Sequence, residues 1–153
     1  MYQNYPKSAN WVPIDEQTIT GTTFTSKSWA PGAFRWLRFA ARCTASGGTG
    51  TITLPGLSGS YDGGQIATIG ASAPVTATLT SWAATLSAGF AFEGEIDIRT
   101  GGTRQISASY SEPTSTVRGR LTGGHTDTSS DVTGFVMTLG SSGTFTVTLL
   151  GMP

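Results

Sequence analysis

The stretch Phe92-Glu-Gly-Glu-Ile-Asp-Ile-Arg99, with Thr100-Gly-Gly-Thr103 and Arg104-Gln-Ile-Ser-Ala-Ser-Tyr110 behind it, decides the fold. Phe92, Ile96 and Ile98 fall on one parity, while Glu93, Glu95, Asp97 and Arg99 fall on the other. A strand with one dry and one wet face demands that alternation, because successive side chains point to opposite sides. Gly101 and Gly102 tolerate the positive φ of a tight hairpin turn. The returning residues then place Ile106, Ala108 and Tyr110 on the dry side. The reading is a β-hairpin.

Outward from this hairpin, the same grammar continues to the C-terminus. Residues 132–139 are rich in β-formers, Gly140-Ser-Ser-Gly143 carries turn chemistry, and Thr144-Phe-Thr-Val-Thr-Leu-Leu150 alternates. A second hairpin is expected there, with Phe145, Val147 and Leu149 inward and Thr144, Thr146 and Thr148 outward. Threonine suits the outer positions because it is both β-branched and polar. Toward the N-terminus, strands are expected at 18–25, 34–43, 50–54, 65–69 and 75–80. Segment 34–43 has large residues on both parities, Phe34 and Trp36 against Leu37 and Phe39, so either both faces are covered or a bulge shifts the register. Nowhere do apolar residues recur at i, i+3, i+4 and i+7 over ten residues free of Gly, Pro or Ser/Thr runs, so no helix is expected. The pattern predicts an all-β fold: a single jelly-roll-like β-sandwich of about eight to ten strands. Residues 1–13 stand apart as an aromatic, proline-bearing arm before a sandwich domain at 14–153. Tyr2, Tyr5 and Trp11 gain nothing from exposure to water. They are expected either to cover the open end of their own sandwich or to lie on a neighbouring subunit.

The chain has 153 residues, 21 of them Gly and 43 Ser or Thr, with nine basic and nine acidic side chains. No block of like charge faces phosphate, so an electrostatic nucleic-acid binder is not expected. No apolar run approaches the roughly 20 residues needed to span a bilayer, so no membrane association is expected. Fifteen aromatics and 37% hydrophobic residues suffice for one core, which argues against disorder. One cysteine, Cys43, forbids an intrachain disulfide and reads as a small buried hydrophobe. The first ten residues lack the apolar core of a signal peptide, so synthesis in a cytoplasm without export is expected.

Each candidate for chemistry competes with a structural reading. Glu93, Glu95 and Asp97 share a strand face at spacings suited to acid–base work or a hard cation, yet they also read as a solvated face with Arg99 or Arg104 opposite. His125-Thr-Asp-Thr-Ser-Ser-Asp131 lacks the glycine and glutamate of a calcium loop and the ligand count of a zinc site. Local turn bonds from Asp127, Ser129 and Ser130 are the better reading. No Gly-x-Ser-x-Gly elbow and no phosphate loop are present, so neither catalysis nor a metal or other cofactor is expected. Arg35, Arg38 and Arg42 with Trp36 and Phe39 resemble a base-stacking platform, which zero net charge weakens. The more serious rival is carbohydrate binding, with Trp29 and Trp82, and also Tyr61 and Tyr110, as flat platforms for sugars.

A resemblance adds to this reading. Residues 92–106 resemble a hairpin of small all-β structural proteins of tailed bacteriophages. Asp131-Val-Thr-Gly-Phe-Val-Met-Thr-Leu-Gly-Ser-Ser-Gly-Thr-Phe-Thr-Val-Thr-Leu-Leu-Gly-Met152 is similar to their closing hairpin, though it ends without the aromatic residue frequent there. The resemblance covers residues 90–153. It implies a non-enzymatic virion component made in the host cytoplasm: a head decoration or cement protein, homotrimeric, bridging neighbouring capsid subunits. In that setting Tyr2, Tyr5 and Trp11 are the expected assembly contacts, and the major capsid protein or another virion protein is the expected partner. The alternative is a carbohydrate- or receptor-binding module on a phage tail or fibre, with Trp29 and Trp82 touching the glycan.

Overall fold

The computed structural model describes residues 10–43, 48–67, 77–79, 81–86, 89–111 and 118–153. They form ten strands: β1 (Val12–Thr25), β2 (Trp36–Cys43), β3 (Gly48–Thr53), β4 (Tyr61–Ala67), β5 (Ala77–Leu79), β6 (Trp82–Leu86), β7 (Ala91–Asp97), β8 (Arg104–Ser111), β9 (Arg118–His125) and β10 (Val136–Met152). Every pairing is antiparallel, and no helix occurs among the described residues. The fold is all-β, as the alternation predicts. Strands follow the order β5-β4-β9-β8-β7-β2-β10-β3-β6, with β1 paired to β10.

The hairpin of β7 and β8 forms as expected, with Asp97 opposite Gln105 and Gly101 in the turn at φ 78°. The C-terminal hairpin does not. β10 is one seventeen-residue strand, and β1 follows it along both halves. Gly21 pairs with Gly143 and Thr23 with Thr138, so residues 139–142 stand against Thr22 alone. The chain keeps its direction through Gly140-Ser-Ser-Gly143, which makes a large bulge rather than a reversal. Gly21, at φ 149°, takes up the offset on the partner strand in a region that side chains rarely enter. Consecutive stretches of β10 then meet β3 and β2: Val136–Leu139 pairs with Thr53–Gly50, and Phe145–Met152 pairs with Cys43–Trp36. β6 and β7 repeat the relation on β3 and β2. One continuous ten-stranded sheet is thereby carried across both halves of β10.

The register of β2 against β7 is continuous from Trp36 to Arg42, so no bulge accounts for its mixed parity. Leu37, Phe39 and Ala41 face the core, while Trp36 lies half-buried outside beneath the Arg99 guanidinium. The core centres on Phe24, Phe39, Phe92 and Phe135, whose rings meet edge-on or tilted at 5.1 to 6.1 Å. Each such ring contributes roughly 2–3 kcal/mol by leaving water. Phe145, Val147 and Leu149 are buried as expected. Outside, the Thr18 and Thr146 hydroxyls meet at 2.9 Å and those of Thr20 and Thr144 at 3.4 Å, which ties β1 to β10 side chain to side chain.

One tryptophan nearly closes the sheet on itself. The Trp82 indole N–H, on β6, donates to the carbonyls of Gly124 on β9 at 3.0 Å and of Asp62 on β4 at 3.3 Å. Beside it, the Tyr61 ring stands edge-on to the indole at 5.0 Å, and the Tyr61 hydroxyl accepts the Leu54 N–H at 2.8 Å. The two ends of the strand order are thus stapled by side chains, giving a barrel-like sandwich. Gly123 makes room for the staple, since a Cβ there lies 2.7 Å from the indole nitrogen.

Candidate functional site

The outer face of β2, β7, β8 and β9 gathers polar side chains, of which Glu93, Ser107, Ser109, Arg120 and Thr122 are exposed. Cross-strand register lays them out in rows. Arg38, Glu95, Ser107 and Thr122 form one row, Ala40, Glu93, Ser109 and Arg120 the next, and Arg42, Ala91, Ser111 and Arg118 the third. The Arg38 Nε–H donates to Glu95 at 2.9 Å, and the same guanidinium lies 4.4 Å above the Trp11 ring. Between Glu93 and the arginines of β9 the face sinks into a groove of about 460 Å³, lined by Ala91, Glu93, Ser109, Ser111, Arg118 and Arg120 together with Tyr110 and Gly119. Sequence reading missed it, because only the register of β8 against β9 brings Ser109 and Arg120 together.

The aromatic candidates part ways. Tyr2 and Tyr5 lie outside the described residues. Trp11 is half-buried under Arg38 of its own chain, just ahead of β1, which begins at Val12. Trp29 is half-buried, donates its indole N–H to the Val132 carbonyl at 2.8 Å and stands edge-on to Phe34 at 5.8 Å. Reading Trp82 as a sugar platform needs correction: it is 0% exposed, and its ring closes the barrel. Tyr61 and Tyr110, 6% and 3% exposed, are core residues for the same reason. Phe39 faces inward while Arg38 and Arg42 face outward, so strand parity takes the proposed base-stacking platform apart.

The acidic strand face also separates. Glu95 is held by Arg38, Asp97 is buried beneath the Arg99 side chain with Nε to Oδ1 at 3.0 Å, and Glu93 alone stays exposed at the groove. Arg104 is not the cross-strand partner anticipated for these carboxylates. It sits on the inward parity with Ile106 and Ala108 and is wholly buried, donating to the Ser130 carbonyl. Burial pulls its pKa below the ordinary guanidinium value, against the fields of Asp127, Asp131 and Asp97. Directly across from it lies His125, itself flanked by Tyr61 at 4.3 Å between ring centroids. The Asp127 N–H donates to His125 Nδ1 at 2.9 Å, which leaves the proton of the neutral ring on Nε2. Burial lowers the His125 pKa, and the Arg104 charge adds to the effect.

Asp127 serves the loop around it. Oδ1 accepts the N–H groups of Ser129 at 2.9 Å and Ser130 at 3.0 Å, and Oδ2 accepts that of Ser58 at 2.9 Å. The Ser130 hydroxyl first, and then these N–H groups, hold the carboxyl well below the usual carboxylate range. Oδ1 is thereby held within its own loop, as in an Asx-type turn, and Oδ2 by the connection between β3 and β4. Cys43 is buried. Among the described residues no group of three or more His, Cys, Asp and Glu side chains is arranged to hold a metal ion, and no helix is long and apolar enough to cross a membrane.

Chemically, the outer face can do two things. It can ion-pair and hydrogen-bond a surface laid against it, and its groove can take a small polar ligand. Compared with models of protein families and with curated proteins, the sequence matches none.

Proposed function

We propose that the protein is a non-catalytic structural subunit of a tailed-bacteriophage virion, a head decoration or cement protein that bridges neighbouring capsid subunits. The observation that carries this reading is how the polar side chains are allotted. Asp97, Arg104, His125 and Asp127 are engaged in the fold or its loops, while the outer face of β7, β8 and β9 presents Glu93, Ser107, Ser109, Arg120 and Thr122 to whatever lies against it. Such a face works by many small contacts. Each charged pair at its rim is worth at most about 1 kcal/mol, so strength comes from area and from repetition over copies. A homotrimer at a local threefold is the arrangement we favour, with Tyr2, Tyr5 and Trp11 near its contacts.

Light scattering of the whole chain at two concentrations, beside a form lacking residues 1–12, tests this. A concentration-independent trimer that the truncation dissolves is the expected result. A monomer at both concentrations refutes the preassembled subunit.

A further inference from the structure

Glu93 stands opposite Ser109 on β8, and Ser109 opposite Arg120 on β9. Neighbouring strands lie about 4.8 Å apart, so the Glu93 and Arg120 backbones are about 10 Å apart with only a serine between them. The adjacent row repeats the design, with Ala91 and Ser111 leading to Arg118. Short side chains between long charged ones leave the groove of about 460 Å³ open. That volume lies within the roughly 300–1,000 Å³ of small-molecule sites. Glu93, Ser109 and Arg120 are exposed, and among the described residues neither Glu93 nor Arg120 has an ion-pair partner.

The donors and acceptors specify the guest. Arginine only donates, an ionised glutamate only accepts, and serine does both. A plain anion satisfies the arginines but is repelled by Glu93. A neutral sugar meets the glutamate and the serines but leaves the guanidinium without its planar, bidentate partner. An acidic peptide brings several carboxylates, which Glu93 again opposes. A ligand with one carboxylate and several hydroxyl donors on a compact ring satisfies all of them. We infer that the groove between β7 and β9 is a binding site for an acidic saccharide, its carboxylate on Arg120 and its hydroxyls on Glu93, Ser109 and Ser111.

The groove lies on the same outer face that the proposed function uses for contacts, so its test is run on the free chain. It differs from a sugar platform built on Trp29, because it needs no stacking ring.

Calorimetric titration of the whole chain with sialyllactose and with a glucuronate disaccharide tests the inference, with lactose and citrate as neutral and plain-anion comparisons. At least one acidic saccharide is expected to saturate, with lactose and citrate about tenfold weaker or worse. Arg120→Gln and Glu93→Gln are each expected to weaken it about tenfold. Ser109→Leu, which fills the floor, abolishes it, while the urea midpoint of each variant stays at the parent value. Failure of both acidic saccharides to bind overturns the inference. So does citrate or lactose binding as tightly as they do, or affinity unchanged in Arg120→Gln and Glu93→Gln.

Discussion

Replacing Trp82 by phenylalanine isolates the staple that nearly closes the barrel. The indole is fully buried, and its N–H reaches the carbonyls of both β4 and β9. Removing that donor loses one shared hydrogen bond, about 1 kcal/mol net. Phenylalanine also buries roughly 40 Å² less apolar surface, worth about 1 kcal/mol at 25 cal/mol per Å². The unfilled space left by the smaller ring costs roughly another 0.5–1 kcal/mol, since the surroundings relax only in part. The total is about 2–3 kcal/mol, a drop of roughly 5–10 °C in Tm for a domain of this size. Urea unfolding measures the free energy, and amide hydrogen exchange locates it. Because β6 ends the strand order, exchange is expected to quicken in β6 and β3 more than in β7 and β8. A loss below about 0.5 kcal/mol, or quickening spread evenly over the sheet, refutes the staple.

Further outcomes follow from the same geometry. Gly94→Ala places a Cβ 2.5 Å from that of Ala108 and 2.6 Å from the Ser107 carbonyl, so strand backbone must move; a loss of about 1–3 kcal/mol is expected in urea unfolding. Glu95→Gln removes a pair that is about a third exposed on both sides, and the same measurement is expected to show less than about 1 kcal/mol, shrinking further in salt. Acid weakens the fold in two stages. The His125 pKa is lowered in the folded protein, so its contribution is complete above its free value of about 6.5 and is lost as the pH falls through the folded value. The Asp127 pKa is lowered too, so its contribution is complete above about pH 4 and is lost on further acidification. Stability measured from pH 8 to pH 3 is expected to lose the upper stage in His125→Gln and to show a smaller lower stage, which Asp15 shares, in Asp127→Asn.

Much of the fold was legible in the sequence because alternation is a local signal. Phe92, Ile96 and Ile98, the row Ile106, Ala108 and Tyr110, and the inward Phe145, Val147 and Leu149 are buried where parity put them. Arg104 was legible in the same way and was missed, since it shares the parity of Ile106 and a charged residue was read as surface. Gly140-Ser-Ser-Gly143 misled for a different reason. Turn-forming residues also make bulges, and whether a chain reverses there depends on what pairs with it. Here β1 runs alongside both halves of β10, so the strand continues.

By itself, then, the sequence determined an all-β fold, the inward apolar rows of the β7–β8 hairpin and of residues 144–150, and the absence of any long charged tract, but not the strands β6 and β9. The tertiary structure decided which strands pair, that Trp82 closes a barrel instead of greeting a ligand, and that Glu93, Ser109 and Arg120 share one groove. The physical reason is range. A side-chain period of two is written in neighbouring residues, whereas a groove or a seam needs strands far apart in the chain to be set in one register.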